Sequence, residues 1–237
     1  ETEFVTLTKK IHTLRYKAIE KYPEIPRGTD GLDSGTISIQ DAKLLYLLVR
    51  YFKPKVIFEI GTWIGTSSMI MAEAMRKNDN GGHIYTCDAN FFYALDESYQ
   101  NTITTINAYS DKALTKLPAN TTVDFVFADG ELTFATIKKI KPMLVPDAII
   151  STHDFTPPAE KGVVNLVRMQ LASLFSYSYI LPRNIKNQSY NSGVTGILLP
   201  RATAYQQSFF YRVVFTIYLG IQAFIAKVFR KLKHKNI

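Results

Sequence analysis

The fold is decided by residues 56–72, which read Val-Ile-Phe-Glu-Ile-Gly-Thr-Trp-Ile-Gly-Thr-Ser-Ser-Met-Ile-Met-Ala. The apolar run over residues 56–60 is rich in β-branched and aromatic side chains and predicts a strand buried on both faces. Gly61 and Gly65 then bracket a tight turn, and the hydroxyls of residues 66–68 can cap a following helix. Such a turn places main-chain N–H groups and the positive end of a helix beside the strand, where nucleotide-like ligands bind.

The spacing of the two glycines limits which ligand this turn can hold. A dinucleotide fingerprint requires Gly-x-Gly-x-x-Gly, because its middle glycine lets the main chain approach a pyrophosphate. Trp63 occupies that middle position, so a nicotinamide-dependent oxidoreductase is a disfavoured third hypothesis. Glu59 stands just before the first glycine, and an acid beside bare main chain suits a cofactor with an amino-acid end and no phosphate.

Composition places the chain among ordinary globular proteins. Its 237 residues are 46% hydrophobic and 20% charged, which suits one α/β domain with some additions. A single cysteine, Cys87, excludes an internal disulfide and fits a reducing compartment. No basic region followed by an apolar stretch opens the chain, as a signal peptide would. These features predict a cytoplasmic location.

Charge is distributed unevenly along the chain. Every acidic residue lies at or before Glu160, whereas residues 161–237 contain 11 Lys and Arg. This asymmetry indicates a polyanionic surface as partner, either a membrane or a nucleic acid. We disfavour nucleic acid because no aromatic and basic groove motif accompanies the charge.

The C-terminal segment, residues 201–237, has the pattern of a basic amphipathic helix. The apolar run between Arg212 and Lys227 has 14 residues, fewer than the ~20 that a membrane-spanning helix needs. Arg212, Thr216, Lys227 and Arg230 share one arc of a helix, which favours a helix lying in the interface at the inner face of a membrane. A helix packed on the domain and a helix that joins two copies in a homo-oligomer are the alternatives.

Hydrophobic periodicity and turn residues predict alternating strands and helices along the chain. The predicted helices cover residues 1–22, 39–52, 66–75, 110–117, 133–144 and 161–175. The predicted strands cover residues 56–60, 83–87, 104–109, 123–128, 148–152, 177–181 and 194–199. This order describes a doubly wound α/β sheet. We divide the chain into an N-terminal helix and loop (1–35), a main domain (36–200) and the C-terminal segment.

Acidic residues lie at the carboxyl ends of four predicted strands, namely Glu59, Asp88, Asp129 and Asp154. Ligands of open α/β sheets bind beyond the carboxyl ends of the strands, although each acid alone could be a cap or turn residue. Asp88 lies near the offset of ~20 residues at which an acid accepts the ribose hydroxyls of a nucleotide. Ser110, in the turn after the third strand, is a candidate for the adenine edge.

The acids at the fourth and fifth strand ends also suit a metal ion. Asp129 and Asp154 offer the hard oxygen ligands that Mg²⁺ prefers, and the ion could hold two vicinal oxygens of a substrate. His153 has three alternatives: a third metal ligand, a general base, or a buried imidazole with a hydrogen bond.

Two motifs resemble those of a known enzyme family. Glu-x-Gly-x-x-x-Gly at residues 59–65 resembles motif I of class I S-adenosylmethionine-dependent methyltransferases. The block from Val123 to Asp154, with Phe-Ala-Asp-Gly-Glu-Leu at its fourth strand end and Ser-Thr-His-Asp at its fifth, is similar to small-molecule O-methyltransferases. These include the catechol, caffeoyl-coenzyme A, antibiotic and sugar types. The resemblance covers roughly residues 36–200.

The resemblance implies a Rossmann-like sheet of seven strands whose last strand is antiparallel, with S-adenosylmethionine as the cofactor. It implies cofactor contacts from Glu59, Gly61, Thr62, Gly65, Ser67, Asp88, Ser110 and Asp129. It implies Mg²⁺ ligands from Asp129, His153 and Asp154.

One position departs from the pattern of the family. Its members commonly carry a Lys or His base three residues after the fourth-strand aspartate, where this chain has Leu132. Either His153 or Glu131 is then the base, or the substrate ionises on the metal unaided, or the activity is lost. Our first hypothesis is methyl transfer to a hydroxyl of a small-molecule, sugar or lipid-linked acceptor. The alternative is a membrane-attached module that binds the cofactor without turnover.

Overall fold

The computed structural model describes residues 2–25, 36–90, 92–130, 132–153, 177–181 and 195–199. The helices in these ranges are α1 (Thr2–Lys21), α2 (Ile39–Phe52), α3 (Thr66–Asn78), α4 (Ser110–Ala113) and α5 (Phe134–Ile140). The strands are β1 (Val56–Ile60), β2 (His83–Asp88), β3 (Ile103–Asn107), β4 (Val123–Ala128), β5 (Leu144–Thr152), β6 (Tyr177–Leu181) and β7 (Thr195–Leu199). Short 3-10 helices cover Glu97–Tyr99, Leu114–Lys116 and Lys141–Met143. The chain divides into two compact units, Glu1–Val123 and Asp124–Ile237.

In the first unit β2 lies between β1 and β3, and all three strands are parallel. Ile60 pairs with Cys87, and Asp88 pairs with Asn107, so the carboxyl ends of the three strands meet at one edge. Every residue of β1 after Val56 is buried, as its continuous apolar run requires. The register therefore brings the glycine turn after β1 next to the acid that ends β2.

Helices α1 and α2 of the first unit each bury one apolar face. In α1 the buried positions are Leu7, Ile11, Leu14, Ala18 and Ile19, which recur at helical spacing. Ser38 caps α2 by accepting the N–H of Asp41 at 3.2 Å. Lys53, in the left-handed region with φ 49°, ends α2 and returns its N–H to the carbonyl of Val49.

In the second unit β4 and β5 are neighbours, and the segment between them contains α5. Thr133 caps α5 by accepting the N–H of Thr136. β7 pairs antiparallel with both β5 and β6, with Thr152 opposite Gly196 and Leu181 opposite Thr195.

The predicted α/β class is confirmed, and β1–β3 of the first unit are parallel as a Rossmann-like sheet requires. β5 begins four residues earlier than predicted because its first residues, including Pro146 and Asp147, extend past the core and lack apolar periodicity. β3 covers Ile103–Asn107 rather than the predicted 104–109, and the N–H of Ala108 continues its pairing with β2 by donating to the carbonyl of Asp88. The sheet of seven strands with an antiparallel last strand stays a prediction.

Several predicted segments fall outside the described residues: the loop at residues 28–35, the helix at 161–175 and the C-terminal segment. Within the ranges that the structure describes, no helix combines the length and the apolar character that crossing a membrane requires.

Candidate cofactor and catalytic site

The turn between β1 and α3 is held closed by main-chain hydrogen bonds. The N–H groups of Gly61 and Thr62 both donate to the carbonyl of Cys87, at 2.9 and 3.2 Å. The N–H of Gly65 donates to the carbonyl of Thr62 at 2.8 Å. Gly61, Trp63 and Gly65 all have positive φ, of 100°, 47° and 92°, which packs a tight reversal into five residues. We call residues 61–65 the glycine turn.

Gly65 is required for two independent reasons. Its φ of 92° is strained for any residue with a Cβ. A Cβ built there would also lie 2.7 Å from Cγ of Leu95, which packs directly over this position. The second motif glycine therefore serves the chain's own packing as well as any ligand.

Glu59 lies beneath the glycine turn and is fully buried. Its carboxylate accepts a hydrogen bond from the hydroxyl of Ser68. The expectation that residues 66–68 cap α3 is wrong: the N-cap is Gly65, which has no side chain to accept a hydrogen bond, and the Ser68 hydroxyl donates to Glu59. Burial and the charge of Glu59 raise the pKa of Tyr93 to about 12.

Asp88, at the end of β2, is held in place by two main-chain donors. The N–H of Trp63 donates to Oδ2 at 2.8 Å, and the N–H of Asn90 donates to Oδ1 at 2.9 Å. An ionised carboxylate can accept about four hydrogen bonds, so each oxygen keeps capacity for another donor. The sequence placed Asp88 and the glycine turn in one site, and the structure joins them directly.

The other predicted cofactor residues of the first unit are largely buried. Thr62 contacts Thr86 through a hydrogen bond of 2.6 Å between their hydroxyls. Ser67 is buried in the first turn of α3. Ser110 begins α4, two residues after Ala108, whose N–H donates to the carbonyl of Asp88. The register thus brings Ser110 to the same edge of the sheet as Asp88.

In the second unit, Asp129 and His153 directly follow β4 and β5. The N–H of His153 donates to the carbonyl of Ala128 at 2.9 Å, which continues the strand pairing by one residue. Nδ1 of His153 lies 2.9 Å from Oδ1 of Asp129. Because an ionised carboxylate only accepts, Nδ1 carries the proton, and Nε2 of a neutral imidazole is left as the acceptor.

Two further predicted residues of this region, Glu131 and Asp154, lie outside the described residues. Leu132, where the family carries its usual base, is buried. Among the residues that the structure describes, no three His, Cys, Asp or Glu side chains are grouped closely enough to hold a metal ion. Of the three predicted metal ligands, the structure describes two, Asp129 and His153, which contact each other.

Sequence analysis missed the residues that cover the glycine turn. Phe92 contacts the Trp63 ring at a centroid distance of 4.7 Å, and Leu95 covers Gly65. Tyr22, just after α1, contacts Phe92 at 5.5 Å. The aromatic run Phe-Phe-Tyr at residues 91–93, three residues after Asp88, was the available signal, because such a run is unusual in an exposed loop.

Residues 58–155 match the sequence profile of a family described as a methyltransferase domain. This range begins inside β1 and includes the glycine turn, Asp88, Asp129 and His153. No curated protein matches the chain.

Many solved structures share the fold at low sequence identity. A proposed O-methyltransferase from Klebsiella pneumoniae is 18% identical, with a TM-score of 0.61, and the match covers 82% of this chain and 90% of that one. The O-methyltransferase TomG from Streptomyces achromogenes, involved in tomaymycin synthesis and in complex with SAM, is 17% identical, with a TM-score of 0.57 and coverage of 80% and 89%. An O-methyltransferase from Bacillus cereus in complex with SAH is 17% identical, with a TM-score of 0.59 and coverage of 79% and 90%.

Proposed function

Because the chain carries a class I methyltransferase domain, we propose that it binds S-adenosylmethionine at the glycine turn and methylates a hydroxyl of a small-molecule, sugar or lipid-linked acceptor. One observation carries this proposal above the others. The main-chain N–H of Trp63 in the glycine turn holds the carboxylate of Asp88, so the turn and the strand-end acid form one prepared site. Structures of similar fold in complex with SAM and SAH support the choice of cofactor.

The residues of the first unit fit this cofactor. Asp88 keeps capacity to accept the two ribose hydroxyls, since the described residues supply one main-chain donor to each of its oxygens. Glu59 adds buried negative charge beneath the turn, which favours the cationic amino end of the cofactor. Ser110, at the same sheet edge, suits the adenine. When bound, the cofactor supplies a methyl group already activated by a sulfonium, so the protein needs chiefly to orient the acceptor and exclude water.

His153 is the proposed base. Its Nδ1–H donates to Asp129, which fixes the tautomer and leaves the lone pair on Nε2 to accept the proton of the acceptor hydroxyl. His153 is buried and Asp129 partly buried, which limits the rotation of both side chains and the competition from water. Glu131 is the alternative base. The Asp129–His153 pair can therefore accept a proton, which Leu132 cannot do.

Assistance by Mg²⁺ is the competing proposal for the same residues. Asp129, His153 and Asp154 would hold the ion, which would lower the pKa of the acceptor hydroxyl. Chelation followed by Mg²⁺ addition distinguishes the two proposals. A base mechanism keeps its rate in EDTA, whereas the metal mechanism loses its rate and recovers it when Mg²⁺ is added. In the double variant Asp129→Ala with Asp154→Ala, the metal mechanism should no longer respond to Mg²⁺.

The cofactor proposal is tested by titrating the full chain with S-adenosylhomocysteine in a calorimeter. Trp63 is the only tryptophan of the chain and lies in the glycine turn, so its emission reports the same event independently. We expect saturable binding with a matching change in emission. Absence of heat and of any emission change would refute the proposed function. Transfer of a labelled methyl group to a panel of hydroxyl compounds then identifies the acceptor class.

A membrane-attached module that binds the cofactor without turnover is the second candidate. Two observations favour it: Leu132 is buried where the family carries its base, and residues 161–237 contain 11 basic and no acidic residues. We propose that the C-terminal segment contacts the anionic inner face of a membrane. Flotation with phosphatidylglycerol vesicles should carry the chain, and neutral phosphatidylcholine vesicles should not. Equal flotation with both, or preference for nucleic acid, would contradict this.

Cofactor binding with no methyl transfer across the whole panel would favour the second candidate over the first.

The proposed domain covers residues 36–200, with seven strands; the antiparallel pairing of β7 with β5 and β6 supports that form. A homo-oligomer joined by the C-terminal segment is the remaining proposal. Sedimentation of the full chain beside a chain truncated at residue 200 tests it, because only the full chain should then form the oligomer.

A further inference from the structure

An aromatic cluster joins the end of α1 to the glycine turn. Its members are Tyr22, Trp63 and Phe92, with edge-to-face contacts of 5.5 Å between Tyr22 and Phe92 and 4.7 Å between Trp63 and Phe92. Beneath the three rings lies a fully buried patch formed by Ala18, Ile25 and Ile64. Three parts of the first unit that are far apart in sequence therefore share one small core.

Hydrogen bonds fix the segment after β2 against this cluster. We call residues 92–95 the strap. The hydroxyl of Tyr22 donates to the carbonyl of Tyr93 at 3.0 Å, and Nζ of Lys21 donates to the same carbonyl at 3.2 Å. The N–H of Ala94 donates to the carbonyl of Ile64, inside the glycine turn, at 3.3 Å. Leu95 completes the contact by covering Gly65.

The cluster acts on the main chain that holds Asp88. Trp63 has a φ of 47°, in the left-handed region, which has a free-energy cost for a residue with a side chain. Packing of its ring against Phe92 offsets that cost and keeps the Trp63 N–H directed at Asp88. If the Trp63 ring lost its contact with Phe92, the glycine turn could relax, and Asp88 would lose one of its two main-chain donors.

We propose that Tyr22 and Phe92 are positioning residues for cofactor binding: α1 holds the strap against the glycine turn and so keeps Asp88 oriented for the ribose. The proposal rests on the proposed function, because it assigns the purpose of this packing to S-adenosylmethionine. In this proposal the N-terminal helix acts on the cofactor site through the strap.

Phe92→Ala in the full chain tests the proposal, with Phe4→Ala as the matched control. Phe4, on α1, also makes an edge-to-face contact, with Tyr46 of α2 at a centroid distance of 5.9 Å. Both variants lose one half-buried ring, so their melting temperatures should fall by similar amounts. We expect the dissociation constant of S-adenosylhomocysteine to rise about tenfold in Phe92→Ala and to change less than twofold in Phe4→Ala.

The fluorescence emission maximum of Trp63 is a measurement that a general loss of stability in the folded chain would not change. In Phe92→Ala the emission maximum should shift to longer wavelength because the indole gains contact with water, and Phe4→Ala should match the unaltered chain. Phe92→Tyr keeps the ring and should restore both affinity and emission. Tyr22→Phe, which removes only the hydrogen bond to Tyr93, should raise the dissociation constant about threefold.

The outcomes separate this proposal from the proposed function. An unaltered chain that binds no S-adenosylhomocysteine refutes the proposed function and this inference with it. Normal binding by the unaltered chain, with equal affinities in Phe92→Ala and Phe4→Ala, overturns the inference alone. If Phe92→Ala does not fold, Tyr22→Phe decides, and an affinity equal to that of the unaltered chain overturns the positioning role.

Discussion

Asp88 and Asp129 both follow a buried parallel strand, yet the structure holds them in different ways. Asp88 accepts two main-chain N–H groups, from Trp63 and Asn90. Asp129 instead accepts Nδ1–H of a side chain, that of His153. Main-chain donors fix a carboxylate without being able to change charge, whereas an imidazole is itself a proton acceptor at its other nitrogen.

The difference assigns separate tasks to the two carboxylates. An acid fixed by main chain suits constant recognition of a ligand such as ribose. An acid paired with an imidazole suits proton transfer, because it keeps the ring in one tautomer and stabilises the imidazolium that forms. Changes at the first site should therefore alter cofactor affinity, and changes at the second should alter the rate of methyl transfer.

The largest expected effect is on catalysis in His153→Ala. Loss of the base should lower kcat by about 10²–10⁴-fold while the dissociation constant of S-adenosylhomocysteine stays within about twofold. Initial rates with labelled cofactor and calorimetry measure the two quantities. The control is His83→Ala, which removes the imidazole at the start of β2 that contacts Thr104. Loss of affinity in His153→Ala would contradict the separation of tasks.

The second expected effect concerns Cys87, which lies directly before Asp88. Burial, with the negative charges of Glu59 and Asp88, raises the pKa of its thiol from 9.0 to about 12. At pH 8 the reactive thiolate is therefore about a thousandfold rarer than in an ordinary thiol. We expect reaction with a disulfide reagent to be about that much slower in the native chain than in urea, and slower still with S-adenosylhomocysteine bound. Equal rates would show that the Asp88 region is open.

Asp88→Asn tests the recognition task with a smaller expected effect. An amide nitrogen cannot accept from Trp63 or Asn90, so the side chain keeps at most one of its main-chain donors. Affinity for S-adenosylhomocysteine should fall about 10–100-fold, equivalent to ~1.4–2.8 kcal/mol, while His153 keeps its role. Asp79→Asn is the matched control, because Asp79 ends α3 in the left-handed region, which Asn also tolerates. Equal affinities in the two variants would remove Asp88 from the cofactor site.

The smallest expected effect separates two roles of one glycine. Gly65→Ala meets both a φ of 92° and the Leu95 side chain, whereas Gly81→Ala meets a φ of 66° and nothing within 4 Å. Urea unfolding should show a loss of about 1–2 kcal/mol for Gly81→Ala and about 1 kcal/mol more for Gly65→Ala, since inserted atoms in packed regions cost ~1–3 kcal/mol. Adding Leu95→Ala should recover the excess in Gly65→Ala only. Equal losses of unfolding free energy in both glycine variants would mean that the Leu95 side chain moves aside without a free-energy cost.

The sequence was sufficient for the elements of the first unit because their signals are local. The continuous apolar run of β1 and the periodic apolar residues of α2 located both elements to the residue. The two glycines located the turn, since positive φ is a property of single residues. Strand-end acids could also be identified, because parallel strands bring their carboxyl ends together whatever their side chains do.

By itself, then, the sequence determined the α/β order, the glycine turn and the candidate acids. Only the tertiary structure decided the partner of each acid: Ser68 for Glu59, main chain for Asp88 and His153 for Asp129. It also decided that Leu95 and an aromatic cluster cover the turn. The physical reason is range, because a strand or turn follows from neighbouring residues, whereas a hydrogen-bond partner depends on which distant segments pack within 3 Å or so of the acid.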